Sequence, residues 1–318
     1  MDDTLLELVI CRIPGLKGNE RIRLVKEVNR IDDFLSLSKG DIENKIERFL
    51  GPQPLNMKDA LAKAEKDAGL CARSGMRRVS WREQAYPPLL REIFDPPLVL
   101  FYRGSLPDPE KPMVAVVGTR KHTPMGAQRA FNLGRDLGEA GIPVVSGLAL
   151  GIDSMAHRGN IEGKAATVAV LGSGADMIFP ASNRDLARRI LETGGAIVSE
   201  YPPGTEPARW TYPARNRIIS ALARGVVIVE APEKSGALIT AQFALDQGRD
   251  LWVDSYGAES ANGAGTARLA EDGAAVISSA DDILAEWKIS KREKGKDMAH
   301  NSAAGLASSM AEYLDINL

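Results

Sequence analysis

Val114-Ala-Val-Val-Gly118-Thr119-Arg120, followed one helix later by Pro143-Val-Val-Ser146-Gly147-Leu-Ala-Leu-Gly151-Ile-Asp153, decides how this chain folds. In each half an apolar run empties into a glycine-containing loop, and the pattern beyond the loop is helical. A run without polar interruption is what a strand covered on both faces requires. Where such a strand hands over to a helix, the loop presents unpaired backbone N–H groups and the positive end of the helix dipole, which together favour an anion. Two such turns side by side, the first carrying Arg120 and Lys121, point to a surface that grips phosphate.

Working outward, further apolar runs stand at 167–171, 196–198, 226–229 and 251–253, with helical patterns between them. In one of these Ala127, Ala130, Phe131, Gly134, Leu137 and Gly138 fall on a single face at i, i+3, i+4, i+7 spacing. Strand–helix alternation over this length predicts an α/β fold, a doubly wound and mostly parallel sheet with right-handed crossovers. Before it, residues 98–102 read as a strand in a proline-rich bridging region. Residues 1–80 read as a separate helical domain in which Ile13-Pro14-Gly15-Leu16-Lys17-Gly18 has the form of a helix-hairpin-helix turn. Two readings of that turn stand open: its amides touch a DNA phosphate, or it is a tight connection between two short helices. Residues 81–287 form the main domain. Residues 288–318 are expected to be a hydrophilic linker and an Ala/Ser-rich tail, with no winged-helix domain.

Composition excludes more than it assigns. Forty basic residues stand against 42 acidic ones, for a formal net charge of -2, so any basic footprint for nucleic acid must be a local patch. The two cysteines, Cys11 and Cys71, form no CxxC pair, which argues against a disulfide framework or a zinc site. The N-terminus lacks the pattern of a signal peptide and no apolar run approaches a membrane span, so a soluble, cytoplasmic protein without membrane association is expected.

In doubly wound sheets ligands bind beyond the carboxyl ends of the strands, which makes those loops the candidate site. The first offers Gly118, Thr119, Arg120 and Lys121. The second offers Ser146, Gly147, Gly151 and Asp153, the last read as a helix cap before an acid; His157, one turn on, either donates to phosphate or satisfies a core carbonyl. After the third strand come Asn183 and Arg184, the latter sharing a helix face with Arg188. Glu200 and Glu230 end the fourth and fifth strands and read as ties for loop amides rather than as an acid/base pair, because no nucleophile or metal cluster accompanies them. Arg215, Asn216 and Arg217 open a helix between them. Ser235, Gly236 and Thr240 form a last anion-ready turn, without the lysine of a P-loop. The GxGxxG fingerprint and its ribose-binding acid are missing, which argues against NAD; no cofactor or metal is expected.

Taken together, Gly118-Thr-Arg120, SGLALGIDSMAH (146–157), GSGADMIFPASN (172–183), SEYPPG (199–204), YPARNRIISALA (212–223) and VVIVEAPEKSGALITA (226–241) resemble the DNA-processing protein A (DprA/Smf) family. The resemblance covers about residues 80–285, with a weaker likeness to the family's N-terminal SAM-like helical domain. It implies an extended Rossmann-like fold that binds single-stranded DNA and hydrolyses nothing. It also implies protection of that DNA, help in loading the RecA recombinase during uptake of transforming DNA, and a homodimer. The family's phosphate-gripping positions fall on the loop residues named above. The chain departs from the family pattern at Val253-Asp254-Ser255 and at Gly265-Thr266-Ala267.

An enzyme of another class is the alternative: a nucleotide phosphoribohydrolase of the lysine-decarboxylase-like or LOG type. Those proteins carry Pro-Gly-Gly-x-Gly-Thr followed by a catalytic Glu, where this chain has Ser235-Gly-Ala-Leu-Ile-Thr240 and no Glu in place. A nucleotide-binding sensor is a third reading, distinguished by mononucleotide affinity equal to that for an oligonucleotide.

Overall fold

The computed structural model describes residues 3–290. Five helices open it: α1 (Asp3–Cys11), α2 (Gly18–Glu27), α3 (Ile31–Leu35), α4 (Lys39–Ile46) and α5 (Met57–Ser74). Strand β1 (Arg77–Ser80), a single turn α6 (Pro88–Arg91) and β2 (Val99–Gly104) form the bridge. The alternating part runs β3 (Val114–Val117), α7 (Pro124–Glu139), β4 (Val144–Ser146), α8 (Ile152–Glu162), β5 (Val168–Val170), α9 (Arg184–Glu192) and β6 (Ala196–Ser199). It continues through α10 (Thr211–Leu222), β7 (Gly225–Ile228), α11 (Gly236–Asp246) and β8 (Asp250–Asp254). Then follow α12 (Ser255–Glu259), α13 (Ala264–Glu271), β9 (Ala275–Ile277) and α14 (Ala280–Glu286).

Among the described residues the strands form one sheet in the order β1-β2-β6-β5-β4-β3-β7-β8-β9. From β6 to β9 every neighbour is parallel, whereas β1 and β2 add an antiparallel edge. The chain starts in the middle at β3, steps outward through β4, β5 and β6, and then returns to lay β7 on the other side of β3. That reversal makes β3/β7 the switch point, where a crevice opens at the carboxyl ends because the flanking loops leave in opposite directions.

Side chains alternate between two cores, as the period of a strand demands. Ala115 and Val117 face α10 and α11 with Ile218, Ile219, Ala237 and Ala241. Val114 and Val116 face α7 and α8 with Ala130, Leu133, Leu137, Ile152 and Ala156. Helices α7 and α8 lie almost backbone to backbone: a Cβ on Gly159 would strike the Phe131 carbonyl, and only glycine permits the contact. Thr123 caps α7, its Oγ1 accepting from the Gly126 N–H at 3.0 Å, with Pro124 at the first helical position.

The N-terminal helices share a core with the sheet. Leu6, Ile10, Val25 and Phe34 belong to a core that also contains Val99, Phe101, Ala169 and Ile197 from the sheet and Leu186 and Ile190 from α9. The sheet begins at Arg77, since β1 pairs with β2, so the expected boundary after residue 80 cuts behind an edge strand. At the other end Trp287 packs on Trp252, ring centroids 5.5 Å apart. The expected linker and tail lie outside the described residues from 291 onward. No helix among those described is long and apolar enough to cross a membrane.

Candidate functional site

The loop after β3 is set by contacts on both sides. A Cβ on Gly118 would stand 2.6 Å from Ile152 Cγ1 and 2.9 Å from the Glu230 carbonyl, so the backbone lies wedged between the start of α8 and the end of β7. The Thr119 N–H donates to the Glu230 carbonyl at 2.8 Å, the Ile152 N–H to the Thr119 carbonyl at 3.3 Å, and the Lys121 N–H to Thr119 Oγ1 at 3.2 Å. Thr119 is thereby buried while Arg120 and Lys121 are turned out to solvent. Gly151 completes the second loop at φ +89°, where a Cβ would stand 2.5 Å from the Thr119 carbonyl. The two strand-end turns read from the sequence are thus packed against each other.

Between them and the start of α11 lies a crevice of about 300 Å³. Gly118, Thr119, Arg120 and Lys121 line it from β3, and Asp153 from the first turn of α8. Tyr212, Arg215 and Asn216 line it from α10, and Lys234, Ser235, Gly236 and Thr240 from the loop after β7. Ser235 Oγ accepts from the Ala237 N–H at 3.3 Å and caps α11, while Asn216 Nδ2 donates to the Gly236 carbonyl at 3.2 Å, tying α10 to that turn. The Arg120 guanidinium sits 5.4 Å from the Tyr212 ring centroid, a cation–π distance. A second, more apolar pocket of about 250 Å³ adjoins, sharing Arg120, Tyr212 and Arg215 and adding Leu148, Leu150 and Phe179. Phe179 is half exposed, its ring 6.4 Å from that of Tyr212.

The electrostatics favour an anion with one exception. Arg120, Lys121, Arg215 and Lys234 are cations; Asp153 is the acid among them. Arg215 is buried and donates through Nη1 to the Val170 carbonyl. A Cβ on Gly147 would meet both the Asp153 carboxylate and the Arg215 guanidinium, so that glycine lets the pair close over the loop. Burial pushes the Asp153 carboxyl up to about 6, against the pull of Arg215. The cap of α8 is Gly151 and not Asp153, which corrects the reading of this carboxylate as the helix cap.

Seven of the expected residues line neither pocket: Gly147 and Gly151 shape the second loop behind the wall, and five others lie elsewhere. Ser146 is buried and donates to the Val116 carbonyl at 2.7 Å. His157 is fully buried, Nδ1 2.7 Å from Thr167 Oγ1 and Nε2 2.6 Å from the Gly147 carbonyl, with burial depressing its pKa to about 4. Of the two readings of His157, the core carbonyl is the one the geometry carries. Asn183 donates to the Leu148 carbonyl at 3.0 Å and to Ser154 Oγ at 3.0 Å, holding the second loop from beneath. Arg184 is exposed at the start of α9 and is no part of either pocket wall. Arg217 forks onto Glu200 at 2.9 and 2.6 Å and faces away from the crevice.

Glu230 is fully buried and accepts from the Thr123 N–H and Ser260 Oγ, both at 2.8 Å. Glu230 thus ties a loop amide, as read from the sequence, whereas Glu200 is held by the Arg217 guanidinium and not by a loop amide. Asp254 caps α12 and forms a bidentate pair with Arg129 at 2.7 to 3.1 Å. Among the described residues no group of three His, Cys, Asp or Glu side chains is placed to hold a metal ion. Lys234 and Tyr212 are polar wall residues that the sequence reading left out of the site, beside apolar ones such as Ala149, Pro213 and Ile239. Lys234 had a signal in the charge just before the Ser235 turn, and Tyr212 in being one of the few aromatics in these loops.

Comparison with known proteins shows the family and the fold. The family model for DNA recombination-mediator protein A matches residues 77–288. A DNA processing protein DprA of Bacillus subtilis is 34% identical over 297 residues, covering 90% of this chain and 96% of its own length. The solved structure of DprA from Streptococcus pneumoniae superposes with a TM-score of 0.73 at 32% identity, covering 90% of this chain and 99% of that one. The structure of DNA processing protein A from Helicobacter pylori, reported for its unique single-stranded DNA binding mode, matches with a TM-score of 0.59 at 28% identity, over 67% of this chain and 95% of its own.

Proposed function

The chain belongs to the DNA recombination-mediator protein A family, and from that premise we propose that the crevice at the β3/β7 switch point binds the phosphate backbone of single-stranded DNA. One observation carries this reading: the Gly118-Thr119-Arg120-Lys121 turn, Arg215 and Asn216, and the Ser235-Gly236 turn converge on one crevice. Amide-rich corners at strand ends, supplemented by guanidiniums, suit phosphate oxygens. On this reading the protein binds the strand and does not cleave it. A flexible single strand follows a crevice between loops more readily than a stiff duplex does. Bases face the adjoining pocket, where Phe179 and Tyr212 offer ring faces that tolerate any sequence.

The wider role follows the family: the protein protects single-stranded DNA in the cytoplasm, acts as a homodimer and helps load the RecA recombinase, in DNA processing and natural transformation. The crevice reading is tested by competition against a labelled oligo-dT. Unlabelled oligo-dT displaces it at far lower concentration than thymidine monophosphate does; equal potency of the two would leave only a nucleotide-binding site.

A further inference from the structure

The turn between α1 and α2 has the form of a helix-hairpin-helix link, yet in the fold two amides at its exit are already taken. The Lys17 N–H donates to Glu20 Oε2 at 2.8 Å and the Asn19 N–H to Asp95 Oδ1 at 3.3 Å. Gly18 lies so close to the bridging segment that a Cβ there would strike the Pro96 carbonyl and stand 2.7 Å from Asp95 Oδ1. Arg48 braces the same turn, donating to both Glu20 oxygens at 2.6 and 2.8 Å and to the Gly15 carbonyl at 2.6 Å. The start of a helix is where a phosphate oxygen would settle. Here the chain's own Asp95 carboxylate holds that place.

Asp95 has a second partner. Arg217 donates from Nε to the Asp95 backbone carbonyl at 3.0 Å and lies 3.4 Å from Asp95 Oδ2, while its two terminal nitrogens hold Glu200 at the end of β6. Arg217 stands two residues beyond Arg215, on the helix whose first turns wall the crevice. We propose that Asp95 is a positioning residue for DNA binding. It closes the hairpin turn to phosphate and, through Arg217, fixes α10 and with it Arg215 and Asn216. The N-terminal helices then brace the crevice and add no second DNA contact.

This rests on the DNA-binding reading above, and its test separates the two. Oligo-dT binding to the full chain is followed by fluorescence polarisation across a salt series, with Asn19 amide exchange measured in the same variants. Lys17→Glu reverses an exposed charge on the turn, and the expected result is wild-type affinity with a wild-type salt slope. Asp95→Ala is expected to weaken binding about tenfold, the worth of one charge-assisted bond, with an unchanged slope and faster Asn19 exchange. Asp95→Asn keeps an acceptor for the Asn19 N–H, so its exchange stays slow while affinity falls between the two. A slope shallower by about 0.7 in Lys17→Glu, the signature of one lost phosphate contact, would overturn the proposal. So would wild-type affinity in folded Asp95→Ala. Should that variant fail to fold, wild-type affinity in Asp95→Asn overturns it. A wild-type chain that ignores the oligonucleotide defeats the DNA-binding reading itself.

Discussion

The Arg120 guanidinium lies 5.4 Å from the centre of the Tyr212 ring, joining the turn after β3 to the first turn of α10 across the mouth of the crevice. The ring holds the cation in place without neutralising it, which leaves its N–H groups for phosphate oxygens. Arg120→Ala is therefore expected to weaken oligo-dT binding about tenfold and to flatten the log–log salt slope by about 0.7, one phosphate's share. Polarisation at several salt concentrations reads both quantities. Weaker binding with an unchanged slope would assign Arg120 a structural role instead.

Asp153 is expected to make binding depend on pH. Its carboxyl, pushed up to about 6 by burial, is charged at pH 8 and largely neutral at pH 5.5. Losing that negative charge inside an anion site strengthens binding, so oligo-dT affinity should rise as pH falls from 8 to 5.5. Asp153→Asn should bind more tightly than wild type at pH 8 and show a smaller rise. Identical pH profiles for the two proteins would exclude Asp153 as the titrating group.

His157 belongs to stability. Burial depresses its pKa from 6.5 to about 4, so the folded state favours the neutral ring. With the folded value below the unfolded one, the contribution is full above pH 6.5 and is lost as pH falls through 4, amounting to about 3 kcal/mol at one pKa unit per 1.36 kcal/mol. His157→Gln should lower Tm at pH 7.5 and show a smaller decline between pH 6.5 and 4. The same variant, where folded, should keep the wild-type salt slope for DNA, because the ring reaches only Thr167 and Gly147.

The sheet was legible because parallel strands buried on both faces read as unbroken apolar runs, and each central run lies within a residue or two of its strand. The edge strands escaped. Two of the three residues of β9 are exposed, and β1 carries two arginines, so neither shows that pattern. Loop position along the chain located Arg120, Arg215 and Ser235 correctly at strand ends or helix starts. It did not tell which side of a loop each polar group serves. Ser146, His157 and Asn183 stand beside the same loops as the wall residues, yet they turn inward and hold those loops from below. Tyr212 stands out locally as a loop aromatic, but it enters the wall because α10 packs beside β3, which is a tertiary fact.

The phosphoribohydrolase alternative has a direct check. Glu200 is paired with Arg217, and Glu230 is sealed among Thr123 and Ser260, so neither carboxylate is free for acid/base work. Incubation with nucleoside monophosphates is expected to release no free base by chromatography. Base release that disappears in Glu230→Gln would establish an enzyme.

The central claim is that strand-end corners at the β3/β7 switch point form a crevice for the backbone of one DNA strand. A salt-titrated polarisation assay with labelled single-stranded oligo-dT and a duplex of equal length tests it most directly. The account predicts much tighter binding of the single strand, with a log–log slope of about -0.7 for each phosphate held. Equal affinity for the duplex, or single-strand binding indifferent to salt, would contradict it.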